Sequence, residues 1–138
     1  DDMGIYHGTN QINQGQIDRW NIVTVLNYLS PENELKVVLG KLDELKEKKY
    51  IEKIKLMIAL AGLVRKGFVQ GDLTSVLSPR TIINWADNYK IFEDLIFSFK
   101  LTFLNKCDEN DKSIIAEYFQ RVFDIDLPES ELNKIKKE

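Results

Sequence analysis

From Lys49 to Phe123 apolar residues recur every three or four positions with little interruption, and this period restricts the fold more than any other feature of the chain. Ile51, Ile54, Ile58, Ala61, Val64 and Phe68 form one stripe, which predicts a helix over about Lys49 to Val69 with Gly71 available to stop it. Ser78-Pro79 then restarts a helix: the serine can cap, the proline suits the first helical position, and Ile82, Ile83, Ala86 and Tyr89 supply its inner face. Phe92, Leu95, Ile96, Phe99 and Phe103 make a further stripe, with Phe97, Leu101 and Leu104 opposite. The segment Ile91 to Leu104 is therefore expected to be largely buried at the centre of the core. Ile114, Ile115, Tyr118, Phe119, Val122 and Phe123 share one face of a last helix over Asp111 to Phe123.

Upstream the same punctuation appears once more. Ser30-Pro31, followed by Glu32 and Glu34 at the positive end of a helix dipole, predicts a helix that runs to about Glu47. Before it the pattern changes. Asp1 to Gln16 is rich in Gly, Asn, Gln and Asp and reads as surface loop or a short capped turn. Ile22-Val23-Thr24-Val25-Leu26-Asn27-Tyr28-Leu29 is a compact β-branched run that reads as one strand buried on both faces. A lone buried strand needs neighbours to pair its backbone, and none is supplied here. The expected fold is mainly α, a helical bundle preceded by an isolated strand, with a charged tail beyond Pro128 that is frayed or disordered.

Composition narrows the function classes. The 138 residues are 43% apolar and include seven Phe and two Trp, enough for a real core. Twenty-two acidic residues against 19 basic ones, net charge -3, leave no basic stripe with interleaved aromatics, so nucleic acid is not expected as a partner. The single cysteine, Cys107, rules out an intramolecular disulfide or a cysteine-based zinc site and reads as core, in a reducing, cytoplasmic setting. No apolar run reaches the roughly 18 to 20 residues of a membrane span, and Asp1-Asp2-Met3-Gly4 does not open a signal peptide; no membrane association is expected. His7 is the only histidine and reads as a hydrogen-bonding or packing residue. Asp108, Glu109 and Asp111 read as a helix start facing water, in preference to a site for a hard cation.

Two separated stretches carry a family resemblance. Gly4-Ile5-Tyr6-His7-Gly8-Thr9-Asn10-Gln11-Ile12-Asn13-Gln14-Gly15-Gln16-Ile17-Asp18-Arg19-Trp20 resembles the segment that follows the sensor-1 strand in the ATPase subunits of aerobic cobaltochelatases, which are MoxR-like AAA+ proteins. Gly71 to Thr81 with Trp85-Ala86, and then Leu101 to Glu109, resembles the C-terminal lid of the same family, in the same order. The chain departs from the family in having no GxxxxGK[ST] phosphate loop, no apolar strand ending in paired acids and no upstream sensor-1 asparagine. The resemblance implies three parts: residues 1–30, the end of an α/β AAA+ core with its last strand and arginine-finger segment; 31–127, a helical lid; and 128–138, a charged tail.

The resemblance further implies a homo-oligomeric, hexameric ring that binds ATP and magnesium between subunits. It implies that hydrolysis is coupled to cobalt insertion into hydrogenobyrinic acid a,c-diamide in cobalamin biosynthesis, with other cobaltochelatase subunits as partners and the magnesium ligands outside this chain. Arg19 takes the place of the arginine finger, acting in trans, and Arg80 that of sensor 2, on the ATP phosphate. A planar, permanently charged guanidinium can meet two γ-phosphate oxygens at once, and an arginine finger contributes a factor of about 10³ to 10⁵ in related enzymes. Without the resemblance Arg19 would be an exposed helix residue pairing locally. Arg80 would be a first-turn arginine whose sign opposes the helix dipole, which itself hints at a nearby anion. Two other readings stand beside this one: a MoxR-like remodelling ATPase with another client, and a non-catalytic helical interaction domain. In each case the chain alone is expected to hydrolyse no ATP.

Overall fold

The computed structural model describes residues 10–26, 30–41 and 48–125. Six α-helices follow in order among these residues: α1 (Asn10–Leu26), α2 (Pro31–Lys41), α3 (Lys48–Gln70), α4 (Pro79–Phe92), α5 (Leu95–Thr102) and α6 (Glu109–Phe123), with a 3-10 turn at Leu104–Lys106 between the last two. The described residues include no strand.

Side-chain caps set most helix starts. The Ser30 hydroxyl accepts the Asn33 amide at 3.2 Å, Ser78 Oγ accepts the Thr81 amide at 3.2 Å, Asp94 accepts the Phe97 amide at 2.9 Å, and Asp108 accepts the Asp111 amide at 2.9 Å. Each satisfies a donor that the helix itself leaves without a partner. At the other ends the chain turns through left-handed residues. Gly71 does so at φ 85° after α3, while Glu93 and Asp124, at φ 54° and 56°, do it after α4 and α6 without the freedom of a glycine.

The helix α3 is the hub, packing against α1, α2, α4 and α6, while α4 lies along α5. Trp85 of α4 fills the middle, fully buried, with its ring 4.6 Å from Phe99, 5.8 Å from Phe123 and 6.3 Å from Phe119. Its indole N–H donates to the Ser98 hydroxyl at 3.1 Å, so this buried donor is satisfied.

Several expectations need correction. The strand expected at Ile22–Leu29, offered as the last strand of an α/β core, is helical through Leu26, and 27–29 lie outside the described residues. The physical reason is that α1 satisfies its own backbone where a lone strand could not: Thr24 Oγ1 donates to the Trp20 carbonyl at 2.8 Å, and Gln14 pairs with Asp18 one turn on at 2.9 Å. The run is not buried on both faces either, since Val23 is buried but Val25 is 70% exposed. Asn10 to Gln16 belongs to α1 instead of a loop, and Asp1 to Thr9 lies outside the described residues. The segment Ile91–Leu104 is broken at Glu93 and Asp94, and Ile91, Phe92, Phe97 and Leu101 are exposed instead of buried. The helix α2 ends at Lys41 among the described residues, with 42–47 outside them, as are His7 and the tail beyond Pro128. No helix of the described residues is long and apolar enough to cross a membrane.

Candidate functional site

The connector between α3 and α4, residues 71–78, has no regular structure, yet it is held along its length. At its start the amides of Asp72 and Leu73 donate back to the Gly67 carbonyl at 2.9 and 3.3 Å. In its middle Asp111 of α6 accepts the Thr74 amide at 3.1 Å and the Thr74 and Ser75 hydroxyls, each at 2.8 Å. At its end Arg65 of α3 donates from Nε to the Leu77 carbonyl at 2.8 Å. Leu73 and Leu77 both point into the core and are fully buried.

Arg65 uses the rest of its guanidinium on α2. Nη1 and Nη2 donate to the two carboxylate oxygens of Glu34 at 3.0 and 2.8 Å, a two-pronged pair in which Arg65 is 3% and Glu34 2% exposed. Among the described residues no buried side-chain nitrogen or oxygen lacks a hydrogen-bond partner. Sequence reasoning missed this pair, giving Glu34 only a role at the helix dipole and Arg65 none. A signal existed: Arg65 stands four residues after Ala61 and three before Phe68, on the buried stripe of α3, and Glu34 stands four before the fully buried Val38.

The connector has the two expected site residues at its two ends. Arg19 of α1, half-buried, lies against its start, where a Cβ placed on Gly71 would stand 3.5 Å from Arg19 Nη1. That position is the C-terminal end of α3, whose dipole favours a cation. Arg80 lies just past the far end of the connector, exposed on the first turn of α4. Neither guanidinium makes a hydrogen bond or ion pair among the described residues. The α4 N-terminus offers an anion fewer amides than a bare helix start. Pro79 has no N–H and the Thr81 amide is taken by Ser78, which leaves the Arg80 amide beside its guanidinium.

Electrostatics separates the acidic residues from this site. Burial would raise the Asp111 carboxyl, but hydrogen bonds from Ser75 and Thr74 outweigh it and hold the group below its ordinary value. Asp108 is a cap and shares the Thr74 hydroxyl at 3.1 Å, so these carboxylates serve the connector, in keeping with their reading as a helix start, although Asp111 is buried instead of facing water. Burial pushes the Cys107 thiol up, which suits a packed, unreactive residue. Among the described residues no group of three or more His, Cys, Asp or Glu is placed to hold a metal ion.

The chain is 49% identical over 133 residues to the aerobic cobaltochelatase subunit CobS of a Sinorhizobium species. The chain is a homologue of that cobaltochelatase subunit. The match covers 96% of the chain, so it takes in the whole helical assembly, and it spans 40% of the length of CobS. No protein-family profile matches the chain, and no solved structure matches it significantly. A mainly helical C-terminal portion agrees with the homology to CobS and with the bundle built around α3.

Proposed function

We propose that the chain is the C-terminal part of a ring-forming AAA+ ATPase, a cobaltochelatase subunit whose ATP hydrolysis is coupled to cobalt insertion into hydrogenobyrinic acid a,c-diamide in cobalamin biosynthesis. The observation that carries this reading is the homology to CobS over nearly the whole chain, combined with two arginines whose side chains have no hydrogen-bond or ion-pair partner among the described residues, at the two ends of one braced connector. Guanidinium groups left without a carboxylate are suited to an anion supplied from elsewhere.

In this reading Arg80 binds the γ-phosphate of the nucleotide held by its own subunit, and Arg19 reaches the nucleotide of the neighbour in a hexameric ring. Bound ATP with magnesium supplies the phosphoryl group whose transfer spreads negative charge over the γ-phosphate oxygens. Arg80 carries a fixed positive charge and one adjacent amide to that charge. Arg19, beside the end of α3, carries a second from the other subunit. The phosphate loop and the acidic pair for magnesium belong to the remainder of the protein. Metal and corrin substrate are held by the other cobaltochelatase subunits, and the complex works in the cytoplasm.

The test is made on full-length protein. Subunits carrying Arg19→Ala are mixed with subunits disabled in their phosphate loop, and hydrolysis is expected to reappear at mixed interfaces, because each defect lies on a different side of the shared site. If both parents assemble and no mixture recovers turnover, Arg19 does not act in trans.

A further inference from the structure

We propose that the buried Arg65–Glu34 pair is a positioning device for Arg80, fixing where its guanidinium meets the phosphate. The proposal rests on the reading of Arg80 given above and assigns a new role to two residues that touch no nucleotide.

Three observations lead to it. First, the pair is a poor way to obtain stability alone. Desolvating two charges offsets most of their attraction, and apolar side chains of equal volume often do as well. What a planar, two-pronged pair adds is direction. Arg65 joins Glu34 on α2, its own helix α3 and the Leu77 carbonyl through one rigid group, with N···O distances of 2.8 to 3.0 Å.

Second, the path from Leu77 to Arg80 is short and stiff. Leu77 is fully buried, so its peptide is held by its side chain and its carbonyl together. Ser78 follows in an extended conformation, φ -86° and ψ 163°, locked by its bond to the Thr81 amide. Pro79 has φ fixed by its ring and opens α4, and Arg80 is the next residue. A shift of the Leu77 carbonyl is therefore carried to the Arg80 backbone, with few soft torsions to absorb it.

Third, no hydrogen bond or ion pair among the described residues fixes the Arg80 side chain, which is exposed. Its placement depends on its backbone, which is held on one side by α4, anchored through buried Ile82 and Trp85, and on the other by the connector. The Asp111 clasp holds Thr74 and Ser75, farther from Arg80 in the chain, which leaves Arg65 as the contact that acts directly before the cap.

The experiment is a double-mutant cycle on the full-length protein, read by affinity for a non-hydrolysable ATP analogue with magnesium and by thermal melting. Arg80→Ala is expected to weaken binding roughly ten- to hundredfold, the worth of a charge-assisted contact. Arg65→Lys keeps the charge but cannot hold both Glu34 oxygens and the Leu77 carbonyl at once. It is expected to weaken binding roughly three- to tenfold while the protein remains folded. In the Arg80→Ala background the same Arg65→Lys change is expected to alter affinity by less than about twofold, because the residue it positions is gone. Equal losses with and without Arg80 would overturn the proposal, as would full affinity for Arg65→Lys alone. Should Arg65→Lys fail to fold, Glu34→Gln replaces it in the cycle, and if that also fails to fold the pair is a folding element and the proposal is wrong. Unchanged affinity in Arg80→Ala would instead overturn the phosphate reading itself, an outcome distinct from a failure of Arg65 alone.

Discussion

At Asp111 burial and hydrogen bonding act on one carboxyl in opposite directions, and hydrogen bonding prevails. A carboxyl held below its unfolded value contributes stability that is fully present above about pH 4 and is lost as pH falls through the lower folded value. Asp111→Asn should therefore cost about 1 to 3 kcal/mol at neutral pH, since an amide cannot accept from the Thr74 amide and from the Thr74 and Ser75 hydroxyls as a carboxylate does. Urea unfolding of both proteins across the acid range checks this. The gap should narrow toward pH 3, and a gap independent of pH would count against it. Residues of this kind show the limit of reading a chain alone. Asp111 invited the reading of a residue facing water, and Arg65 invited none, because the groups that satisfy them are 12 to 37 positions away and no local spacing joins them. Arg19 and Arg80 were singled out for the opposite reason: each stands inside a contiguous stretch that resembles known proteins.

Helix boundaries were legible wherever local chemistry decides them. Ser30, Ser78 and Gly71 sit where caps and a left-handed turn are required, and each occupies that position in the structure. For α4 the cap is testable. Ser78→Ala removes the acceptor of the Thr81 amide and should lower the stability of the chain by about 1 kcal/mol in chemical denaturation. A loss indistinguishable from zero would mean that Pro79 alone sets the start of α4. Where tertiary context decides, the reading failed. Ile22 to Leu26 has the β-branched composition of a strand, and a short apolar run cannot be told from a helix segment by periodicity. Its helical state follows from the polar residues before it, which continue the same helix from Asn10. The stripe at Ile91–Leu104 was real, but Glu93 in a left-handed turn divides it, so the second helix starts on a new axis and leaves Phe92 against Phe97, ring centres 5.0 Å apart, at the surface.

Across the described residues one long helix, α3, packs against α1, α2, α4 and α6, and the two candidate arginines lie at the ends of the connector that follows it, Arg19 on α1 and Arg80 on α4. Such an assembly can present a charge to a nucleotide, but the sequence has no phosphate loop to hold one. The isolated 138-residue chain should accordingly show no ATP turnover above a buffer control in a phosphate-release assay, and measurable turnover would refute that assignment of roles. Trp20 and Trp85, the two tryptophans of the chain, lie in opposite surroundings, one 57% exposed on α1 next to Arg19 and the other sealed at the centre. Intrinsic fluorescence is thereby divided between them: emission from Trp85 is shielded from dissolved quenchers and follows unfolding, while that from Trp20 is open to iodide and follows whatever comes to lie against α1. In a Trp85→Phe background, protection of Trp20 from iodide would time the arrival of a neighbouring surface beside Arg19 without any attached dye.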